Sequence, residues 1–187
     1  MMNNKAIFVD RDGTINRDVH YLDNPDKFTM YPGVGKGIKT LKKKGYKIIV
    51  ITNQSGIGRG YFTKHQLMSI HERMTEEFQK FGVILDGIYY CPHHPEDKCN
   101  CRKPQTGLFE QAIIEHNIDV QKSFMIGDKI LDIEAGKKTG TKTILIPEPH
   151  VRDECLSKEI TWEYSPDYIA DDFCDAVVWI LNLEGNE

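Results

Sequence analysis

Short apolar runs alternate with amphipathic stretches along most of the chain. Lys5–Val9 and Tyr46–Thr52 are apolar runs of strand length that stop at a polar residue, which predicts two buried strands. The same reasoning predicts four more strands, at Gly87–Tyr90, Ser123–Ile126, Thr143–Ile146 and Asp167–Ala170. Apolar positions three and four residues apart predict helices at Val34–Lys44, Thr63–Phe81, Leu108–His116, Leu131–Thr139 and Ala176–Leu183.

This alternation predicts an α/β fold. We expect a three-layer, Rossmann-like, mostly parallel sheet with helices on both faces. The chain has 187 residues, so we expect residues 1–187 to form a single domain. The periodicity is lost in Glu148–Ser165, which is predicted to be an irregular connection. No segment between the predicted elements is long enough for a lid domain, so the fold is expected to be capless.

The composition narrows the class of partner. Hydrophobic residues make up 40% and charged residues 28%, and the formal net charge is −4, so nothing attracts the whole surface to nucleic acid or to an anionic membrane. No run approaches the ~18 apolar residues of a bilayer span. Met1–Val9 also lacks the long apolar core of a secretory signal. We expect a cytoplasmic monomer that binds a small molecule, with no nucleic-acid or membrane partner.

Two carboxylates follow the first predicted strand, in the sequence DRDGTIN at Asp10–Asn16. Asp10 and Asp12 are two residues apart and project toward the same side, and Gly13 permits the turn that follows. Like charges this close repel each other unless a cation neutralises them. The pair therefore predicts either a Mg²⁺ site, since Mg²⁺ prefers oxygen ligands, or a carboxylate pair that acts as acid and base.

The fuller motif DxDGT after an apolar strand resembles the first motif of the haloacid dehalogenase superfamily of phosphatases. The resemblance implies that Asp10 attacks phosphorus and that Asp12 carries a proton. It also implies that Thr52 and Lys103 stabilise the transferring phosphoryl group. Asp128, in the sequence GDK, would complete a Mg²⁺ site with Asp10 and the backbone carbonyl of Asp12.

These residues lie in motif order at successive junctions between a strand and a loop. In this interpretation the enzyme hydrolyses a phosphomonoester through an aspartyl-phosphate, which divides one difficult step into two easier ones. We expect Thr14 to position Asp12. Asp132 follows Asp128 by one helical turn and receives no role of its own.

A cluster of metal-binding residue types occupies the sequence CPHHPEDKCNC. Cys91, Cys99 and Cys101 offer thiolates, and His93 or His94 can supply a fourth ligand, so a tetrahedral Cys₃His zinc site is available. Four protein ligands leave no open position, which predicts a structural, zinc-bound loop. The other two cysteines, Cys155 and Cys174, are expected to be ordinary thiols.

A narrower resemblance rests on DGIYYCPHHP, CNCRKP and ITNQSGIGRGYF taken together with DRDGTIN. These segments resemble the capless phosphatases that remove the 7-phosphate of D-glycero-D-manno-heptose 1,7-bisphosphate. The resemblance assigns the zinc ligands to Cys91, His93, Cys99 and Cys101. It assigns substrate contacts to Asp18, His20, Tyr21, Thr52, Asn53, Gln54, Ser55, Arg102, Lys103 and Lys129.

Two alternatives stay open at this stage. Histidinol-phosphate phosphatases share the fold, the motifs and a similar zinc loop, and the short spacing between His93 and Cys99 leaves the sugar undecided. The Cys and His cluster is also compatible with a binding module for nucleic acid or protein that has no catalytic activity. The negative net charge argues against nucleic acid as its partner.

Overall fold

A computed structural model describes residues 3–148 and 163–185. Its six strands form one parallel sheet in the order β3-β2-β1-β4-β5-β6. The strands are β1 (Ala6–Val9), β2 (Lys47–Asn53), β3 (Gly87–Cys91), β4 (Phe124–Gly127), β5 (Lys142–Leu145) and β6 (Tyr168–Ile169). Each predicted strand is found, with small shifts at its ends.

The five predicted helices are also found. They are α1 (Val34–Lys43), α2 (Lys64–Gln79), α3 (Gly107–His116), α4 (Ile130–Thr139) and α5 (Phe173–Glu184). Local signals fix their ends: the Thr63 hydroxyl caps α2 by accepting from the N–H of Gln66, and Gly140 ends α4 in the left-handed region at φ 92°.

The helices cover both faces of the sheet, which confirms the predicted three layers. Strand side chains alternate between the faces: Ile7 and Val9 of β1 pack with α1, α2 and α5, whereas Ala6 and Phe8 pack with α3 and α4. Because both faces of the sheet are buried, the strand sequences are continuous apolar runs and do not alternate between apolar and polar residues.

The irregular connection predicted at Glu148–Ser165 falls mainly on residues 149–162, which lie outside the described residues. In the part of the chain that is described, no additional domain interrupts the strands and helices, in agreement with a capless fold. None of the helices in that part combines the length and the apolar character that a bilayer span needs.

The strand order determines where a ligand fits. β1 lies between β2 and β4, so the chain builds one half of the sheet outward from β1 and then crosses over to begin the other half beside it. In open parallel sheets, the crevice at the carboxyl ends of such neighbouring strands is the usual binding site. The residues that directly follow β1, β2 and β4 are therefore the ones that meet a ligand.

The packing of α3 gives a test of the core. Phe109 is fully buried with its ring centroid 5.0 Å from that of Phe8, so Phe109→Ala should lower the free energy of unfolding by about 3–5 kcal/mol. Ile114 of the same helix is 76% exposed, so Ile114→Ala should change it by less than about 0.5 kcal/mol. Urea unfolding measures the free energy of unfolding of both variants. Equal losses in the two variants would contradict this packing of α3.

Candidate active site

The ends of three neighbouring strands bring the predicted acidic and phosphoryl-binding residues together. Asp10 directly follows β1, Thr52 lies near the end of β2, and Asp128 directly follows β4. All three are buried, and the backbone N–H of Asp10 donates to the carbonyl of Ile126 in β4 at 3.0 Å. The grouping that the strand pattern predicted is thus present at the carboxyl edge of the sheet.

Lys103 supplies the buried positive charge of this group. Its Nζ lies 2.6 Å from Asp10 Oδ1, 2.6 Å from Asp132 Oδ1 and 2.6 Å from the carbonyl oxygen of Ile51. The backbone of Lys103 is held in turn by Asn53, whose amide nitrogen donates to the Lys103 carbonyl at 3.1 Å and whose amide oxygen accepts from its N–H at 3.0 Å. Asn53 therefore attaches the Lys103 segment to the end of β2.

Burial and mutual repulsion make Asp10 and Asp128 bind protons more tightly than usual. Burial raises the pKa of Asp10 to about 6, although Lys103 opposes the shift. Burial and the charges of Asp10 and Asp132 raise the pKa of Asp128 to about 8. Burial disfavours the charged form of Lys103 and so lowers its pKa, but the contacts with Asp10 and Asp132 outweigh burial and raise the pKa above its ordinary value. The group thus carries more negative charge than its own cation can balance.

The donor set fits a hard divalent cation. One oxygen each of Asp10, Asp128 and Asp132 lies within 4.8 Å of the others. Asp128 Oδ2 is buried and accepts no hydrogen bond from the described residues, although the Lys129 ammonium lies 3.5 Å from it. Gly13 brings the turn after Asp12 so close to Asp128 that a Cβ at position 13 would overlap the carboxylate. Buried oxygen donors with an unsatisfied atom are the ligands that Mg²⁺ prefers.

Asp12 is not one of these three clustered carboxylates and has its own partners. Its carboxylate accepts from Arg11 Nε at 3.1 Å, Arg11 Nη2 at 2.6 Å, Asn16 Nδ2 at 3.0 Å and Gln54 Nε2 at 2.8 Å. Burial works in the opposite direction, but these donors lower the pKa of Asp12 below its ordinary value. The carboxyl group is therefore ionised.

The expectation that Thr14 positions Asp12 is wrong. The turn at Gly13, with φ 94°, directs the Thr14 hydroxyl to the other carboxylate, and it donates to Asp128 Oδ1 at 3.4 Å. Thr14 therefore supports the cation site, while the Asp12 carboxyl group depends on the donors named above.

Two adjoining cavities open at this edge of the sheet. The inner one has a volume of about 60 Å³ and is lined by Asp10, Asp12, Thr52, Asn53, Lys103, Lys129, Leu131 and Asp132. The outer one has a volume of about 180 Å³ and is lined by Asp12, Asp18, His20, Tyr21, Leu22, Asn53, Gln54, Ser55, Gly56 and Lys129. Each predicted substrate contact except Arg102 lines one of them. Arg102 is half-buried, and its buried Nη1 has no hydrogen-bond partner among the described residues.

The loop that walls the outer cavity is tied to the cation site. Asp18 Oδ1 accepts from the N–H of His20 at 2.9 Å, and Asp18 Oδ2 lies 3.1 Å from Lys129 Nζ. Lys129 also lies 3.5 Å from Asp128. His20 and Tyr21 have positive φ angles of 63° and 94°, which residues other than glycine rarely adopt. This shape of the loop presents both rings to the cavity.

The Cys and His cluster has the geometry of a tetrahedral metal site. Cys91 Sγ lies 3.5 Å from Cys99 Sγ, Cys101 Sγ lies 3.4 Å from Cys99 Sγ, and His93 Nδ1 lies 3.2 Å from Cys101 Sγ. Sulfur atoms 2.3 Å from one tetrahedral zinc are about 3.8 Å apart, so the four atoms need only a small expansion to hold the ion. His94 lies outside this group of four donors, and its Nδ1 accepts from the N–H of Glu96 at 3.3 Å.

This geometry agrees with the similarity of the chain to known proteins. Residues 100–176 match the model of the HAD-hydrolase-like family. The chain is 49% identical over 149 residues to the D-glycero-beta-D-manno-heptose-1,7-bisphosphate 7-phosphatase of Haemophilus ducreyi, covering 76% of this chain and 82% of that protein. The enzyme of the same name from Helicobacter pylori J99 is 43% identical, covering 85% of this chain and 97% of that protein.

The chain belongs to the heptose-1,7-bisphosphate 7-phosphatase family. It is a phosphatase, a hydrolase of the haloacid dehalogenase superfamily. Its fold superposes with a TM-score of 0.84 on the D,D-heptose 1.7-bisphosphate phosphatase of B. bronchiseptica, a structure complexed with magnesium and phosphate, at 28% identity and over 96% of this chain and 99% of the other. The binding-module alternative is therefore not favoured for this family member.

Sequence reasoning missed several residues that shape this phosphatase site. Arg11 and Asn16 hold Asp12, although both stand in the DRDGTIN motif. Asp132 forms an ion pair with Lys103, and its position one turn after Asp128 was the available signal. Gln54 was predicted as a substrate contact and is also a donor to Asp12.

Loss of one thiolate tests the Cys and His cluster. If the cluster holds zinc, Cys99→Ser should abolish tight zinc binding and lower the Tm by roughly 5–10 °C, because the energy of binding a metal to a loop is also folding energy. Cys174 is an exposed free cysteine on α5, so Cys174→Ser is the matched control and should keep zinc and Tm unchanged. Metal analysis measures the zinc content of each variant, and calorimetry measures its Tm. A wild-type protein without zinc would contradict a zinc site at this cluster.

Proposed function

We propose that the chain removes the 7-phosphate of D-glycero-D-manno-heptose 1,7-bisphosphate in a Mg²⁺-dependent reaction. The observation that carries the proposal is the contact between Asp10 and Lys103 in the wall of the inner cavity, which opens into a larger polar cavity. A phosphoryl group fits the small cavity beside the Asp10 carboxylate. The sugar then occupies the outer cavity, where predominantly polar side chains meet its hydroxyl groups.

Asp10 is the proposed nucleophile. Its carboxylate oxygen forms a bond to phosphorus while the bond between phosphorus and the sugar oxygen breaks, which leaves an aspartyl-phosphate. Lys103 Nζ and the Thr52 hydroxyl line the same cavity and neutralise or hydrogen-bond the phosphoryl oxygens. Water then attacks phosphorus, the bond to Asp10 breaks, and inorganic phosphate leaves.

Asp12 is the proposed proton carrier for both steps. It lines both cavities, so it faces the oxygen that joins the phosphoryl group to the sugar. In the first step its proton passes to that oxygen, and in the second step its carboxylate takes a proton from the attacking water. Asp12 takes up the proton for the first step from solvent when the phosphate dianion binds beside it, because nearby negative charge raises the pKa of a carboxyl group.

Mg²⁺ is the proposed partner of the acidic cluster. Asp10, Asp128 and the backbone carbonyl of Asp12 are its proposed ligands, and Asp132 is left to balance Lys103. When bound, the ion lowers the repulsion between the Asp10 carboxylate and the phosphate anion. The unsatisfied oxygen of Asp128 supports this assignment.

Zn²⁺ is the proposed ion of the Cys and His cluster, with Cys91, His93, Cys99 and Cys101 as ligands. The site takes up all four donors, so we assign it a structural role. Arg102 and Lys103 directly follow Cys101, so the ion fixes the start of the segment that delivers Lys103 to Asp10. Arg102, with an unsatisfied Nη1, is the proposed contact for the second phosphate of the substrate.

We further propose that residues 1–187 form one domain, that the protein acts as a monomer and that it works in the cytoplasm. The continuous sheet with a core on each face supports a single domain. Thiols that serve as metal ligands suit a reducing compartment.

Substitution of the nucleophile tests this function. Asp10→Asn should reduce phosphate release from the heptose bisphosphate by at least about 1,000-fold, because an amide does not attack phosphorus. Release is measured with a molybdate assay beside histidinol phosphate as the comparison substrate. Exposed Asp26 lines neither cavity, so it provides the matched Asp26→Asn control, which should keep full activity. Normal turnover by Asp10→Asn would contradict the assignment of Asp10 as the nucleophile. A higher kcat/KM for histidinol phosphate would contradict the assignment of the substrate.

A further inference from the structure

Arg11 has the largest side chain that is completely buried among the described residues. Its guanidinium loses its hydration there, which is costly unless a carboxylate and good hydrogen bonds replace the water. The partner is the adjacent residue, Asp12, through Nε to Oδ1 at 3.1 Å and Nη2 to Oδ2 at 2.6 Å. This two-point pair is the strongest and most directional contact that arginine makes with a carboxylate.

The backbone turn makes this contact between neighbours feasible. The carbonyl of Arg11 accepts from the N–H groups of Ile15 at 2.9 Å and Asn16 at 3.0 Å, which closes the chain into a tight turn around Gly13. Side chains of adjacent residues in an extended chain point in opposite directions, so the turn is needed to bring this pair side by side. Arg11 is therefore held by hydrogen bonds to its backbone carbonyl as well as by the contact of its side chain with Asp12.

The other donors to Asp12 do not fix its orientation in the same way. Asn16 and Gln54 are neutral amides, and each gives one hydrogen bond to the carboxylate. A single bond lets the carboxyl group turn about the contact, whereas two parallel bonds from a planar guanidinium set its plane. Of the donors described, Arg11 is the one with a charge and a two-point contact.

Among the described residues, no second carboxylate forms an ion pair with Arg11. Nη1 is buried and has no hydrogen-bond partner among the described residues, and the same is true of Nε2 of His71, which is buried on α2. Burial and the nearby charge of Arg11 lower the pKa of His71 to about 3, so its ring is neutral. The guanidinium is thus directed to Asp12, its ion-pair partner among the described residues.

The carboxyl group that Arg11 holds lines both the inner and the outer cavity. We infer that Arg11 is a positioning residue, which sets the plane of the Asp12 carboxyl group so that its proton passes to the leaving sugar oxygen. The inference rests on the proposed function, in which Asp12 carries that proton. Arg11 itself lines neither cavity and does not touch the reacting atoms.

Two substrates with different leaving groups distinguish a positioning role of Arg11 from a role in folding alone. A sugar alkoxide leaves poorly without a proton, so its departure depends on the placement of Asp12. p-Nitrophenolate is a stable anion and leaves without one. A loss of positioning lowers kcat/KM for the sugar bisphosphate selectively, whereas a loss of folded protein lowers both values by the same factor.

Arg11→Lys is the informative variant. Lysine keeps the positive charge beside Asp12 but replaces the planar two-point contact with a point charge on a flexible stem. We expect kcat/KM for the heptose bisphosphate to fall at least about tenfold and kcat/KM for p-nitrophenyl phosphate to change less than about twofold. The ratio of the two values is independent of the folded fraction, because both assays use the same preparation. Arg11→Met, which removes the charge as well, should change the ratio in the same direction.

Two reference variants complete the experiment. Arg73 lies on α2, partly exposed, and pairs with Glu76 and Glu77, so Arg73→Lys should keep the wild-type ratio. Asp12→Asn should show the largest selective loss. A normal ratio in both Arg11 variants beside a selective loss in Asp12→Asn overturns the inference alone. No selective loss in Asp12→Asn overturns the proton role of Asp12 and the inference with it, and a wild type that hydrolyses neither substrate overturns the proposed function.

Discussion

The burial of several carboxylates around one ammonium group is the constraint on which the site depends. Asp10, Asp128 and Asp132 meet at the carboxyl edge of the sheet, and Lys103 contacts two of them at 2.6 Å. Burial raises the pKa values of Asp10 and Asp128, and the repulsion that this one cation leaves unbalanced adds to the rise. A divalent cation would remove this repulsion beside Asp10, the carboxylate that is proposed to approach an anionic phosphate. The same imbalance supports both the proposed metal binding and the proposed nucleophilic attack.

The rest of the fold delivers residues to this group from distant parts of the chain. β1 and β4 are neighbours in the sheet although far apart in sequence, and their ends carry Asp10 and Asp128. Lys103 comes from outside the strands, and two contacts determine its place. The cysteine and histidine cluster lies directly before it, and the amide of Asn53 binds its backbone from the end of β2. A loop with little apolar content can therefore present a buried lysine.

The sequence predicted the elements and the strand-end residues because both follow from local pattern. Apolar runs of strand length locate the ends of β1, β2 and β4, and parallel strands carry these ends to one edge. Side-chain orientation within the turns was not predictable in the same way. Thr14 contacts Asp128 rather than Asp12, and Arg11 folds back onto its own neighbour, because the left-handed turn at Gly13 redirects both. The pairing of Lys103 with Asp132 likewise depends on tertiary placement: the spacing of Asp132 one turn after Asp128 puts it near the site but does not identify its partner.

The central claim is that the Asp10 carboxylate attacks phosphorus at this cluster. Rapid quenching of the enzyme during turnover with substrate and Mg²⁺, followed by borohydride reduction of any acyl phosphate and peptide mass spectrometry, tests it directly. The account predicts that the reduced residue is found at position 10, in an amount that depends on Mg²⁺. Reduction at position 12, 128 or 132, or at no carboxyl group while phosphate is being released, would contradict it.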